Sequence, residues 1–387
     1  MSLRAAFEDI LGVENLVNPV TGTTETEIVE ILEEVQEAEN EVGKTNELVE
    51  ILEEESAALE SLIGSVNTEV GMTRGEAVLF THALESIGRR IYMDTSSVTA
   101  ALEDIGGSTD RVTATLESAD GAKNFLARMW AALKAAVVKA YNAVKNWLAS
   151  LFKGTKAIEA KADATIAELK DVPATTETEI EGEFIAADGS NITSMDAYIK
   201  DKGDALALLK QMNKEEEALG DAQVKLLENP NSLVEVRETA VMRMAGPGGE
   251  ETEVAPTGKR TVTKPNKRKA KAKKRESLTV ISATVGQIVK LANIEKDIAK
   301  ETGKAAKVLE AQQDKAAKAL AKAEAAALKE TDKTKAKAMT DNAKSIANNI
   351  GKGAPNVAYG YRSARESGVI TSRGARQLAK KKNKKAA

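Results

Sequence analysis

The chain has no cysteine and a single histidine, His82, in 387 residues. Without cysteine there is no disulfide, no thiolate nucleophile and no cysteine-held zinc or iron–sulfur centre. With one histidine, nucleophile–base catalysis has one base of near-neutral pKa to draw on. The neighbours of His82, Thr81 and Ala83, offer it no orienting group. A surface or interface histidine is expected, and zinc clusters with histidine or cysteine spacing are excluded. Aromatic residues are 3% of the chain, and alanine inflates the 42% apolar share. An extended, mostly helical molecule is therefore expected rather than a compact enzyme. No stretch approaches the ~18–20 uninterrupted apolar residues of a membrane-crossing helix. The opening MSLRAAFEDILGVENL lacks the apolar core of a secretory signal, so a soluble protein is expected. No GxxxxGK[ST] or GxGxxG loop is present to cradle phosphate. No catalytic residue, no cofactor and no metal site is expected.

What the chain has instead is charge sorted by position. Residues 1–120 carry 26 acidic and 6 basic side chains, residues 257–275 carry 10 Lys/Arg and no acid, and the last 16 residues carry 7 Lys/Arg and no acid. Such sorting suits a protein that holds a polyanion with flexible arms while an acidic helical body stays off it, and nucleic acid is the expected polyanion. The cations proposed to touch it are Lys259, Arg260, Lys264, Lys267, Arg268, Lys269, Lys271, Lys273, Lys274 and Arg275, with Lys380, Lys381 and Lys382 in the tail. Together they can neutralise several phosphates, with a steep salt dependence from counterion release. No aromatic lies among the cations of 257–275 to stack on bases, so the expected contact is independent of sequence. A solubilising linker and a nuclear localisation signal are the other readings of the run.

Periodicity divides the chain further. Residues 1–24 are a leader, and Thr24-x-x-Glu27 reads as a capping box that opens a helix. Ile28, Ile31, Val35, Ala38, Val42, Thr45, Val49, Leu52, Ser56, Leu59 and Ile63 then recur in 3–4 alternation, a coiled-coil-like seam on an acidic helix. A second capping box, Thr73-x-x-Glu76, opens a shorter helix, and another is expected over 94–118 with an interruption at Gly106-Gly107. Residues 121–170 form the most hydrophobic helix, with Trp130 and Trp147 on its apolar stripe, lysines opposite and a break expected at Gly154. Residues 25–173 thus read as an acidic/amphipathic helical bundle. Residues 174–244 read as a small mixed segment. It holds a β-hairpin turning at Asp188-Gly189, expected to pair with Val234–Met244, and a helix over Met195–Leu227. Residues 245–276 are expected to be a disordered basic linker. Residues 277–350 form an Ala/Lys-rich helical region whose seam, from Leu278 to Ile298, decays to alanine, and 351–387 is a basic tail expected to be unfolded when free.

Three segments in order carry a family resemblance: ESAALESLIGSV (55–66), GMTRGEAVLFTHALESIGRRI (71–91) and FLARMWAALKAAVVKAYNAVKNWLASLFKG (125–154) running into IEAKADATIAELKDVP (158–173). In this order, with the polar EIEGEFIAADGSNI after them, the chain resembles the internal head proteins of phiKZ-like giant bacteriophages. The resemblance covers roughly residues 20–220 and leaves the basic linker and the C-terminal region outside it. It implies residence inside a phage capsid beside packaged DNA after assembly in the host cytoplasm, with other head proteins or scaffold and self-association as further partners. It also implies trimming by a phage protease after a Glu in a small-x-Glu setting, followed by ejection. Glu60, Glu85, Glu103, Glu159 and Glu366 stand in that setting, in a chain rich enough in Ala and Glu to produce such triplets by chance. Two other function classes are open on the residues alone: a coiled-coil adaptor or assembly scaffold using the 28–63 seam, and a membrane-active effector using the Trp/Lys helix.

Overall fold

The computed structural model describes residues 25–64, 73–91, 111–236, 241–265, 278–352 and 355–386. The fold is mainly α with small antiparallel sheets. Its elements are α1 (Glu25–Gly64), α2 (Arg74–Ile91), α3 (Arg111–Leu169), β1 (Glu177–Gly182), α4 (Met195–Glu228), β2 (Met242–Gly246), β3 (Glu250–Val254), β4 (Arg260–Lys264), β5 (Thr279–Thr284), α5 (Val285–Ala327), α6 (Lys333–Lys352) and α7 (Pro355–Ala386). The chain divides into two compact units, Glu37–Asn146 and a larger one made of Met1–Gln36 with Trp147–Ala387.

In the smaller unit, the seam of α1 faces inward. Thr45, Val49, Leu52, Ser56 and Leu59 are all buried. Thr45 is tolerated there because its hydroxyl donates to the Glu41 carbonyl one turn back, at 2.9 Å. The capping box of α2 forms as its sequence predicts. The Thr73 amide donates to Glu76 Oε2 at 2.7 Å and the Glu76 amide to Thr73 Oγ1 at 3.3 Å. The Thr73 amide and hydroxyl, both donating to the Glu76 carboxylate, hold it below its ordinary pKa. Arg90 at the end of α2 donates to Glu55 on α1 at 2.5 Å. The capping box at Thr24 and the Gly106-Gly107 interruption lie outside the described residues.

The larger unit is organised on α5, which packs against α4, α6 and α7. At its start, α5 meets the two-stranded sheet in which β1 pairs antiparallel with β5, Ile180 opposite Ile281. This corrects the expected pairing of the 174–192 segment with Val234–Met244. The hairpin turn itself is present, with Gly189 at φ +80° and a bridge between Ile185 and Asn191. Ile180, Phe184, Tyr198, Ile288, Leu291, Ile370 and Leu378 close the core at this end. At the far end of α5, Ala316, Ala319, Ala323 and Ala327 pack with Leu227, Leu233, Met339 and Ile346.

Three further expectations are corrected. Residues 242–264 do not form a disordered linker but a three-stranded antiparallel sheet in the order β2–β3–β4. Its strands are short and charged, and opposite charges face each other across them: Arg243 with Glu253 at 3.1 Å, Lys264 with Glu251 at 3.0 Å. Residues 355–386 do not form an unfolded tail but the helix α7, held by Val357, Tyr361, Ala364, Ile370 and Leu378, all buried. Gly154 makes no break in α3; the helix runs through it, and a Cβ there would meet the Tyr361 ring at 2.9 Å.

Close approach of α7 to α5 needs glycine at its contact face. A Cβ on Gly374 would lie 2.7 Å from Ile288 Cδ1 and 2.9 Å from Ile180 Cδ1, and one on Gly368 would lie 2.6 Å from Glu295 Oε1. Glu295 is itself fully buried, with Thr371 Oγ1 donating to it at 2.8 Å. Burial lifts its pKa to about 8, against the pull of the Thr371 bond and the Lys161 charge.

Overpacking at the glycine face predicts that Gly374→Val destabilises the chain by about 1–3 kcal/mol, read from denaturant melts. The Glu295 carboxyl ionises near its ordinary 4.5 when unfolded but keeps its proton to about 8 when folded, so folding binds a proton across that window. Its contribution to stability is whole below the lower value, declines as pH rises through the window and levels off above it. Glu295→Gln should therefore melt increasingly higher relative to the parent chain as pH is raised from about 5 to about 8.

Candidate functional site

Where α4 passes the middle of α5, apolar side chains give way to polar ones. Asn213 donates to the Glu301 carbonyl and to Glu301 Oε1, both at 3.2 Å, and Asn356 donates to Asn213 Oδ1 at 2.9 Å. Gln312 donates to the Glu217 carbonyl at 2.9 Å and fills the space a side chain at Gly220 would need. These groups line a cavity of about 420 Å³ that extends to Gly258 and Arg260. The turn at its rim, 255–259, is fixed by Asn349, which donates to the Thr257 carbonyl at 2.9 Å. Gly258 has φ +85° and lies against Asn349, so both its conformation and its space require glycine.

Arg260 donates to Glu216 Oε2 at 2.6 Å, while Glu216 Oε1 is buried without a hydrogen-bond partner among the described residues. Burial raises the Glu216 pKa, and the Arg260 charge and hydrogen bond oppose that rise. The site holds amides, carboxylates and a guanidinium already bonded to one another. It offers no nucleophile–base pair, and its chemistry is that of a clamp holding the β2–β4 sheet to α4.

The cations proposed from sequence are distributed as follows. Lys259 is exposed, Arg260 is committed to Glu216, and Lys264 pairs with Glu251 in an exposed contact of little energetic weight. Lys267, Arg268, Lys269, Lys271, Lys273, Lys274 and Arg275 lie outside the described residues, between β4 and β5. Lys380, Lys381 and Lys382 are in the last turns of α7. Among the described members of this set, Arg260 is the one that lines the cavity. Sequence reading passed over the exposed lysines of α5, whose 3–4 spacing was the available signal.

Of the small-x-Glu candidates, Glu60, Glu85, Glu159 and Glu366 are inside helices, and Glu103 lies outside the described residues. Glu366 accepts from the buried Lys202 at 3.0 Å, and Lys202 lies over the Tyr198 ring at 5.1 Å. His82 is exposed on α2. Trp147, on the helix with the Trp/Lys face, is buried, with 6% of its surface exposed. Among the described residues no helix is long and apolar enough to cross a membrane; along the seam of α1, Val35, Thr45, Val49, Leu52, Ser56 and Leu59 are buried, while Ala38, Val42 and Ile63 are half-buried.

Residues 24–359 match the family model of phiKZ-like phage internal head proteins. The chain belongs to that family. It is a structural protein of the bacteriophage virion, located in the capsid interior. The family match corrects the extent of the resemblance seen in sequence: it runs past residue 220, through the basic segment, α5 and α6, and into the start of α7. No curated protein and no solved structure matches the chain.

The clamp makes one prediction. Arg260→Ala should destabilise this internal head protein by about 1–3 kcal/mol in urea melts, because it strands a mostly buried carboxylate. Adding Glu216→Gln should recover most of the loss.

Proposed function

We propose that this internal head protein is non-enzymatic and lies against the packaged genome, touching DNA phosphates electrostatically without reading sequence. The observation that carries the proposal is the run Lys267–Arg275, with seven cations and no acid, placed between two anchored strands of the body. β4 ends at Lys264 and β5 begins at Thr279, so both ends of the run are tied to folded structure. Lys380, Lys381 and Lys382 add positive charge at the end of α7. A cationic segment of this kind gains its affinity by releasing counterions, which suits contact with DNA of any sequence.

In the same reading the chain is trimmed by a head protease after a Glu and leaves the capsid with the genome. Proteases take substrates in extended form, and Glu60, Glu85, Glu159 and Glu366 would each require a helix to melt first.

Fluorescence anisotropy with the full chain and a labelled 30-base-pair duplex tests the contact. Affinity should be equal for two unrelated sequences and fall by about a thousandfold between 50 and 200 mM salt if some six phosphates are engaged. Binding that ignores salt, or strong preference for one sequence, overturns the proposal. Peptide mapping of the chain from purified virions tests the trimming: a terminus immediately after a Glu supports it, and intact termini remove it.

A further inference from the structure

The second half of α5 contains KAAKALAKAEAAA, a stretch that offers little apolar area to bury. The structure shows how it divides its residues. Ala316, Ala319, Ala323 and Ala327 face the neighbouring helices, and the lysines face away from them. Lys300, Lys304, Lys307, Lys315, Lys318 and Lys322 are all exposed. Their spacing alternates between three and four residues, with Ala311 at the one position a lysine does not fill. At 100° per residue this places all six within a stripe roughly 80° wide, running about 33 Å along the helix.

No carboxylate interrupts the stripe between Lys300 and Lys322. Glu301, Glu310 and Asp314 lie to its sides and are half-buried. Lys304 is 3.5 Å from Glu301, and Lys307 lies over the Phe152 ring at 4.6 Å. Among the described residues, Lys300, Lys315, Lys318 and Lys322 have no ion-pair partner.

Like charges three and four residues apart on a helix repel by roughly 0.2–0.5 kcal/mol per pair. Packing of α5 against α4, α6 and α7 holds this self-repelling arrangement in place, and a counter-charge would relieve it. A partner helix is a poor counter-charge, because protein interfaces need an apolar centre and are depleted in lysine, whereas this stripe offers only Ala311 between its charges. Duplex DNA, with about one negative charge per 1.7 Å of axis, needs only the cations.

We propose that the lysine stripe Lys300–Lys322 of α5 is a rigid docking face for the phosphate backbone of duplex DNA. The proposal rests on the genome-contact reading above and adds to it a preformed surface distinct from the 267–275 run. Cations already fixed on a packed helix bind without the ordering cost that a flexible segment carries.

The test uses the full chain and the 30-base-pair duplex at 50–200 mM salt. One variant carries Lys300→Gln, Lys315→Gln, Lys318→Gln and Lys322→Gln; a second carries the same four as Lys→Arg; a third replaces the seven cations of 267–275 by Gln. Helicity by circular dichroism should be unchanged in all three. The Gln stripe variant should lose about tenfold or more in affinity and reduce the salt slope by about 3–4, and the Arg variant should bind as the parent does. If the Gln stripe variant keeps the parent's affinity and slope while the 267–275 variant loses both, the stripe proposal falls and the genome-contact reading stands. If the parent fails to bind the duplex at 50 mM salt, both fall. If the Gln stripe variant changes sedimentation of the chain but not DNA binding, the stripe contacts a second copy and the proposal is overturned.

Discussion

How closely other helices can approach α5 decides the structure of the larger unit. α5 carries alanine at much of its buried surface, including Ala292, Ala299, Ala305, Ala306, Ala316, Ala319 and Ala323. α7 answers with glycine where it crosses Ile288 and Glu295. Alanine contributes little burial per residue, so the unit gains stability from close backbone approach and from many small contacts made at crystal-like density. Larger side chains cluster at the two ends, where Ile180, Phe184, Tyr198 and Leu378 close one core and Leu227, Leu233 and Met339 close the other, with Leu209, Ile298 and Tyr361 buried between them.

Between those ends the same closeness forces polar groups out of water, and the chain pairs most of them. Asn213, Glu301 and Asn356 bond in sequence, Gln312 reaches across to α4, and Lys202 is answered by Glu366. Buried polar contacts of this kind add little net energy but make any other register costly. Charge thus has two uses in the larger unit. Toward the interior it fixes how the helices align, and toward solvent it is left in excess, where the genome-facing role is proposed.

Helices were legible in the sequence where their apolar periodicity was undiluted. The seam from Val35 to Leu59 and the helix expected over Met195–Leu227, found as Met195–Glu228, follow from spacing. The pairing of β1 with β5 was not legible, because about a hundred residues separate the strands and no local turn announces the partner. The β2–β4 sheet was missed for a different reason. Its Glu, Thr, Arg and Lys content resembles that of a linker, and the signal was cross-strand charge matching around the small Leu219, Met244 and Val254 cluster. In α7 the stripe Val357, Tyr361, Ala364 and Leu378 was present, but its glycines read as breakers when they are points of contact. The 420 Å³ cavity was beyond sequence reading, since α4, α5, α6, α7 and the turn at Gly258 each supply part of its wall.

The β1–β5 ladder has a topological consequence. It joins residues 177–182 to residues 279–284, while α4 and the β2–β4 sheet, which come between them in sequence, contribute to the same body. The basic run therefore falls, in sequence, between β4 and β5, two strands that both belong to that body. A cut within it would yield two fragments that remain one particle, joined by the strand pairing and by the contact of α4 with α5. Severed there, the chain would show two bands in denaturing conditions and still migrate as a single species in native ones.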